Sequence, residues 1–275
     1  MSLFSKFAGI AAAVLVTTTA VQAQLLPQQL QTQEREVQGN KIRACVDDYS
    51  AGGKLDRAIA QAIGDALFLE VEYKEALRGF PLDGDGYLAE LQIQLNNDCD
   101  LFMGVVVQPN MPFPDWASIT RPYAEVPFVL VTDKPDYNSL ADIPYGLTIG
   151  TSLASLGERV FATSVAQRPQ DQRWKRLPYA DFELMTLRMR EDKLAAMLLW
   201  QPSLLQLAET DPSVADLRII SLDPVPQAVV PVGALVSTRN TFLRTQVDNA
   251  IAELTADGTI DQIMADLGVM GSAPR

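Results

Sequence analysis

The residues able to do chemistry in this chain are sparse and unevenly placed. No histidine occurs among its 275 residues, which removes Ser-His-Asp and Cys-His catalysis and histidine-ligated metals. Two cysteines, Cys45 and Cys99, are too few for an all-cysteine zinc site. They are either two buried thiols or one disulfide, and the bond would close a loop worth about 4 kcal/mol in the chain-entropy model. The polar candidates are Asp47-Asp48-Tyr49 after an apolar run, Arg78 in a loop, Arg121 in "TRPY", and Thr151-Ser152 ahead of a helical stretch. Carboxylates at Asp47 and Asp48 beside Tyr49 suit a cationic or hydroxyl-rich ligand, or equally a solvated turn at a helix start. The hydroxyls of Thr151 and Ser152, with free amides behind them, suit an anionic group or plain capping. Trp200, closing "AMLLW", suits stacking on a ligand or packing inside. Arg78 and Arg121 are the cations nearest a presumed cleft, although an arginine such as Arg121 also suits pairing with a neighbouring carboxylate. "PLDGDGYLAE" has Tyr87 where an EF-hand loop needs Asp or Asn, so it reads as a turn before a helix and no metal is expected. Neither GxxxxGK[ST] nor GxGxxG occurs. No enzyme activity and no cofactor are expected.

These residues must be held by elements, and the chain announces them clearly. Lys6, the apolar run "FAGIAAAVLV" and Val21-Gln22-Ala23 predict a cleavable signal peptide over 1–23. The run is short for a bilayer, so an N-terminal membrane anchor is the lesser alternative. Residues 24–40 are Gln-rich and read as a flexible tail. The expected location is the periplasm, an oxidising compartment that favours the disulfide. A net charge of −12 without clustered Lys or Arg argues against nucleic acid and anionic membranes as partners.

From Lys41 the pattern is strand "KIRACV", a helix with Leu55, Ile59, Ile63 and Leu67 every fourth residue, strand "LEVEY", helix "YLAELQIQL" and strand "LFMGVVV". Such alternation implies right-handed βαβ units and a mainly parallel sheet. A second block follows: strands "PFVLVT" and "GLTIGTS", helix "FELMTLRM", strand "AAMLLW", helix "SLLQLAE", and strands "LRIISL" and "ALVS". Two helices close the chain, with Asp257-Gly258-Thr259 as a C′ glycine and a threonine cap between them. Met185, Met189 and Met197 fall at core-like positions. Two α/β lobes joined by long strands near 128–133 and 230–236, or one larger doubly wound domain, both satisfy the periodicity. In either, ligands would sit beyond the carboxyl ends of the strands.

The run "ALVSTRNTFLRTQVDNAIAELTADGTIDQIMADLGV" resembles the end of family 3 extracellular solute-binding proteins. "SITRPYAEVPFVLVTDKPDYNSLADIPYGLTIGTSLASLGE" is similar to their hinge, "CDLFMG" to their "D.i.G" strand with Gly104, and "GKLDRAIAQAIGDAL" to their first helix. The likeness covers residues 41–270. It implies an α/β, two-lobed type II periplasmic binding fold, mainly parallel sheets with helices on both faces and two hinge strands. Lobe one would be 41–130 plus 232–271, and lobe two 131–231. It further implies a monomer that captures a small molecule in an interlobe cleft for an ABC-type permease.

Departures qualify the ligand. The arginine that holds a carboxylate in amino-acid binders is missing from "VVVQPNMPFPDWAS". In its place stand Gln108, prolines and Trp116, a mostly apolar rim with amide donors, and Arg78 is the best substitute clamp. The aspartate that takes an α-ammonium is replaced by "AMLLWQPS". The expected solute is therefore polar but not an ordinary α-amino acid. A narrower likeness lies in Cys45, Cys99, Arg121-Pro122-Tyr123 and Trp200-Gln201-Pro202, which match solute-binding-like proteins associated with quinoprotein dehydrogenases, with Gln201 standing where they usually show glycine. It implies an alternative partner, a periplasmic PQQ-dependent alcohol dehydrogenase of the methanol type.

Overall fold

A computed structural model describes residues 39–77, 86–107 and 114–274. Residues 1–38, Arg78 and Gln108 therefore lie outside the described residues, and with them the expected signal peptide and most of the tail.

The first block is β1 (Lys41–Val46), α1 (Gly53–Ala66), β2 (Glu70–Glu75), α2 (Tyr87–Asn97) and β3 (Leu101–Val106). A short β4 (Ala117–Ile119) leads into β5 (Ala124–Thr132). The second block is β6 (Thr148–Ser152), α3 (Leu156–Ala166), β7 (Lys175–Tyr179), α4 (Phe182–Arg190), β8 (Ala196–Trp200), α5 (Gln201–Thr210) and β9 (Arg218–Ile220). β10 (Val229–Ser237), α6 (Thr241–Ala256) and α7 (Thr259–Asp266) complete the described chain. β4 and β7 have no counterpart in the sequence reading. "ASI" is too short to show alternation, and "KRLPY" puts charge and a proline on an edge strand, where both are tolerated.

The sheet order is β2-β1-β3-β10-β5-β8-β6-β7. Pairing is parallel within β2-β1-β3 and within β8-β6-β7. Every antiparallel pair involves β5 or β10. These two nine-residue strands pair with each other through Val229–Val232 and Ala124–Pro127, then diverge, β10 toward β3 and β4, β5 toward β8 and β9. Each thus belongs to both halves of the curled sheet.

Side-chain alternation between apolar clusters explains why β3, β5, β8 and β10 are almost wholly apolar. In β1, Ile42, Ala44 and Val46 enter the cluster beneath α1, whereas Cys45 points to a second cluster with Leu91 and Leu95 of α2. In β5, Phe128 and Leu130 join the first cluster, while Val129 and Val131 meet Met185, Met189 and Met197 in a third. The three methionines are fully buried core residues, as their spacing predicted. Leu55, Ile59 and Ile63 form the buried stripe of α1, each such side chain adding about 2 kcal/mol of burial. Cys45 and Cys99 are bonded, which joins β1 to the approach to β3.

Two capping expectations are corrected. Thr151 and Ser152 end β6 and cap nothing; the cap of α3 is Ser155, whose Oγ accepts from the Glu158 amide. Residues 153–155 turn the chain before the helix can start, with Ala154 in the left-handed region at φ 58°. Gly258, at φ 83°, separates α6 from α7, and Thr259 is already inside α7, its amide bonded to Asp257 Oδ1.

Candidate functional site

The carboxyl ends of β1, β3 and β8 come together around the start of α1, and β6 runs parallel beside β8. After β1 the chain folds back through Asp47, whose carbonyl accepts from the Ser50 amide at 3.1 Å and whose Oδ1 accepts from the Tyr49 amide at 3.0 Å. This Asx-type turn delivers Gly52 and the first turn of α1. Asp56, in that turn, faces inward with 5% exposure.

Asp56 is met from two directions. Tyr123, fully buried just before β5, donates its hydroxyl to Asp56 Oδ1 at 2.5 Å. The Gly104 amide donates to the same Tyr123 oxygen at 3.0 Å. Burial pushes the Asp56 carboxyl up to about 7; the tyrosine hydrogen bond opposes this and the charge of Asp47 adds to it. Burial and the adjacent carboxylate push the Tyr123 phenol well above its usual range. Gly104 sits at φ 79°, and a Cβ there would stand 2.5 Å from Asp56 Oδ2. Only glycine satisfies both the backbone and the contact.

The other half of the sheet supplies Trp200 and the end of β6. The tip of the Trp200 ring, Cη2, lies 3.1 Å from where a Cβ on Gly52 would stand, and Asp56 Oδ2 lies 3.5 Å from that same point. Trp200 therefore closes against the start of α1. Its Nε1 and the Oγ of Ser152 are buried without a hydrogen-bond partner among the described residues. Thr151 Oγ1 donates to Glu158 Oε1 at 3.3 Å, the Ala154 amide to Oε2 at 2.6 Å, and Arg176 pairs with Oε1 at 2.5 Å. Two contacts bridge α5 to the α1 start: Gln206 Nε2 donates to the Tyr49 carbonyl at 2.8 Å, and Lys54 pairs with Glu209 at 2.5 Å. Gln201 is buried and spans to the C-terminal tail, donating to the Gly268 carbonyl at 3.0 Å and accepting from the Met270 amide at 3.1 Å. A glycine there would make neither bond.

Of the residues singled out from sequence, Asp47, Gly104 and Trp200 gather at this point, with Thr151 and Ser152 at the end of β6. Asp48 turns away to a two-pronged pair with Arg57, whose guanidinium also lies 4.0 Å from the centre of the Tyr73 ring. Tyr49 is largely exposed and reaches α5 through its backbone. Two expectations do not hold in position. Trp116 packs into the disulfide cluster, and its carbonyl accepts from Thr238 beyond the far end of β10. The cause is β4, which pairs Ala117 with Ser237, five residues along β10 from the Val232 that pairs with the end of β3. Arg121 is held through its amide by Asp248 of α6 at 2.7 Å, and it is Tyr123, two residues on, that reaches the site.

Asp56 and Tyr123 were missed as site residues. The available signal was Asp56 three and seven residues before Ile59 and Ile63, on the buried stripe of α1. Among the described residues no group of three or more His, Cys, Asp or Glu side chains could hold a metal ion, and no helix is long and apolar enough to cross a membrane. The arrangement offers a carboxylate acceptor, an aromatic ring and unpartnered hydroxyl and indole groups, which is equipment for binding.

No family model matches the chain and no curated protein sequence is similar to it. Solved structures are similar. Substrate-binding domain 2 of GlnP from Lactococcus lactis, in an open conformation, matches with TM-score 0.62 and 14% identity, over 84% of this chain and 97% of that one. The L-cystine solute receptor of Neisseria gonorrhoeae, unliganded and open, matches with TM-score 0.59 and 19% identity, over 86% and 95%. An ancestral cationic amino acid solute-binding protein matches with TM-score 0.58 and 17% identity, over 83% and 95%. The fold is the type II periplasmic binding fold, with β5 and β10 as its two crossing strands.

Proposed function

We propose that this protein is a solute-binding receptor, not an enzyme, that takes a small polar molecule between two lobes and delivers it to an ABC-type permease. The lobes are 41–130 with 232–271, and 131–231, and β5 and β10 act as the hinge. The observation that carries this reading is the convergence of Asp56, Gly104 and Trp200 from both halves of the sheet at the carboxyl ends of parallel strands, where such sheets bind ligands. The similar structures named as a substrate-binding domain and a solute receptor support it. Export through the cleavable N-terminal signal peptide, leaving residues 24–40 as a flexible tail, would place the receptor in the periplasm as a monomer. Asp47, Thr151, Ser152 and Trp200 are ligand-side residues in this reading, with Arg78 as the substitute clamp and Gln108 on the rim.

Selective binding to the native state raises the melting temperature. A panel of small metabolites should therefore yield at least one that raises Tm by several degrees at millimolar concentration. If none does, and a quinoprotein alcohol dehydrogenase co-purifies with the protein, the receptor reading gives way to an accessory role. The bonded Cys45–Cys99 pair, at the positions that carry that likeness, is the observation favouring this alternative.

A further inference from the structure

The receptor reading leaves the solute's class open, and the surroundings of Asp56 narrow it. Its Oδ1 accepts from Tyr123, but no donor among the described residues reaches its Oδ2. A buried carboxylate normally has a cationic partner or several donors, because desolvating it otherwise costs several kcal/mol. The cations on its own helix are engaged elsewhere, Lys54 with Glu209 and Arg57 with Asp48. The nearest additional charge is Asp47, which is of the same sign.

The open oxygen also has a direction. It lies against Gly104, where a Cβ would stand 2.5 Å away, and within ordinary contact of a Cβ on Gly52, and Gly104 is exposed while Asp56 is buried. The Trp200 ring borders the same spot, and its unpartnered Nε1 together with the unpartnered Ser152 Oγ lies on the facing half of the sheet. A carboxylate oxygen without a donor, reached past an uncovered glycine and flanked by an aromatic ring, is a site for a positively charged N–H donor.

We propose that Asp56 recognises a protonated amine, so that the solute is a small primary or secondary alkylammonium compound whose head enters past Gly104 beside Trp200. A quaternary ammonium lacks the N–H that Oδ2 would accept and should bind less well. Besides Asp56, the groups facing this point are Asp47 from the turn after β1 and Tyr123 before β5; Gly104 of β3 and Trp200 of β8 carry no charge. Burial and the adjacent carboxylate hold the Tyr123 phenol well above its usual range, so the charge change there belongs to Asp56. Burial keeps a proton on Asp56 up to about pH 7, so amine binding should strengthen as pH rises.

The test is calorimetric titration of the purified protein with ethanolamine, putrescine and agmatine, against 1,4-butanediol, succinate and tetramethylammonium, at pH 6 and pH 8. The proposal expects at least one primary amine to bind, about tenfold more tightly at pH 8 than at pH 6. Asp56→Asn should weaken that amine at least tenfold at pH 8, and Trp200→Leu about threefold. The pH comparison on the unaltered protein keeps the test independent of whether either variant folds. Binding of the diol or dicarboxylate without any amine would overturn the cationic assignment while leaving the receptor reading intact. Amine affinity unchanged by Asp56→Asn would also overturn it. Failure of every compound here and in the wider metabolite panel would overturn both.

Discussion

Asp56 and Glu158 are the same kind of residue in the same kind of place, treated in opposite ways. Each is a carboxylate more than nine-tenths buried in the first turn of a helix, one in each half of the sheet. Glu158 takes an ion pair from Arg176, an amide from Ala154 and a hydroxyl from Thr151, and its own amide is capped by Ser155. Asp56 receives one phenolic hydroxyl and faces a second acid. The first arrangement satisfies a buried charge and fixes the turn between β6 and α3. The second leaves a buried charge unbalanced, and such a cost is retained where a site needs it. In the proposed reading, the contrast separates a structural carboxylate from one that serves a ligand.

That separation can be attacked experimentally, beginning where the effect should be largest. The Asp56 pKa is about 7 folded against an ordinary 3.8. Its contribution to stability is thus fully present below the unfolded value and lost as pH rises through 7, because the unfolded chain releases its proton first. The difference is worth roughly 4 kcal/mol. Denaturant unfolding should show Asp56→Asn gaining on the parent between pH 4 and pH 8; parallel profiles would mean that Asp56 is not the group responsible. Glu158→Ala should instead cost about 3 kcal/mol, since three contacts to a charged group disappear. Arg176→Gln, at a guanidinium 43% exposed, should cost about 1 kcal/mol. If Glu158→Ala proves neutral, the two carboxylates are not distinguished by satisfaction.

Tyr123→Phe removes the hydroxyl that opposes the upward shift of Asp56. It should cost about 1.5 kcal/mol and move the Asp56 titration above 7, a change readable in the carboxyl carbon shift by NMR. A titration that stays in place would show that the tyrosine does not stabilise the ionised form. The smallest effect belongs to the turn that serves Glu158. Ala154 occupies left-handed backbone at φ 58°, so Ala154→Gly should raise stability by about 0.5 kcal/mol, the relief of strain exceeding the added chain entropy. A loss of stability would mean that the methyl group packs usefully there.

Much of the fold was legible because its elements are locally periodic. The α1 stripe of Leu55, Ile59 and Ile63, the buried run of β1 and the methionines of α4 and β8 all fall where their pattern placed them, although Leu67, the last of the every-fourth series, stands just past the end of α1. The long strands near 128–133 and 230–236 are the two that cross between halves. Legibility failed where a residue's role depends on a distant partner. Thr151 and Ser152 have the composition of caps, yet the chain keeps the strand through them and turns at Ala154. Trp116 follows β3 and so reads as part of the cleft rim, but β4 pairs with the end of β10 and takes it to the disulfide cluster. The same limit hid Asp56, which reads as one more charge near a helix start until Tyr123 is brought to it from 67 residues away.

The sequence by itself determined the order of the longer elements and which of their faces are apolar. It also excluded histidine-based chemistry and spaced two cysteines so that β1 and the approach to β3 could be joined. Those properties follow from nearest-neighbour sterics and a period of two or 3.6, which a linear reading captures. Only the tertiary structure decided that Asp56, Tyr123, Gly104 and Trp200 meet. Their contact depends on strand order and register, with β5 and β10 crossing between the parallel trios. It also depends on the absence of side chains at Gly52 and Gly104, which lets a carboxylate from α1 and an indole from β8 occupy one small volume. Whether a buried acid has a partner is a property of that volume, and of no segment alone.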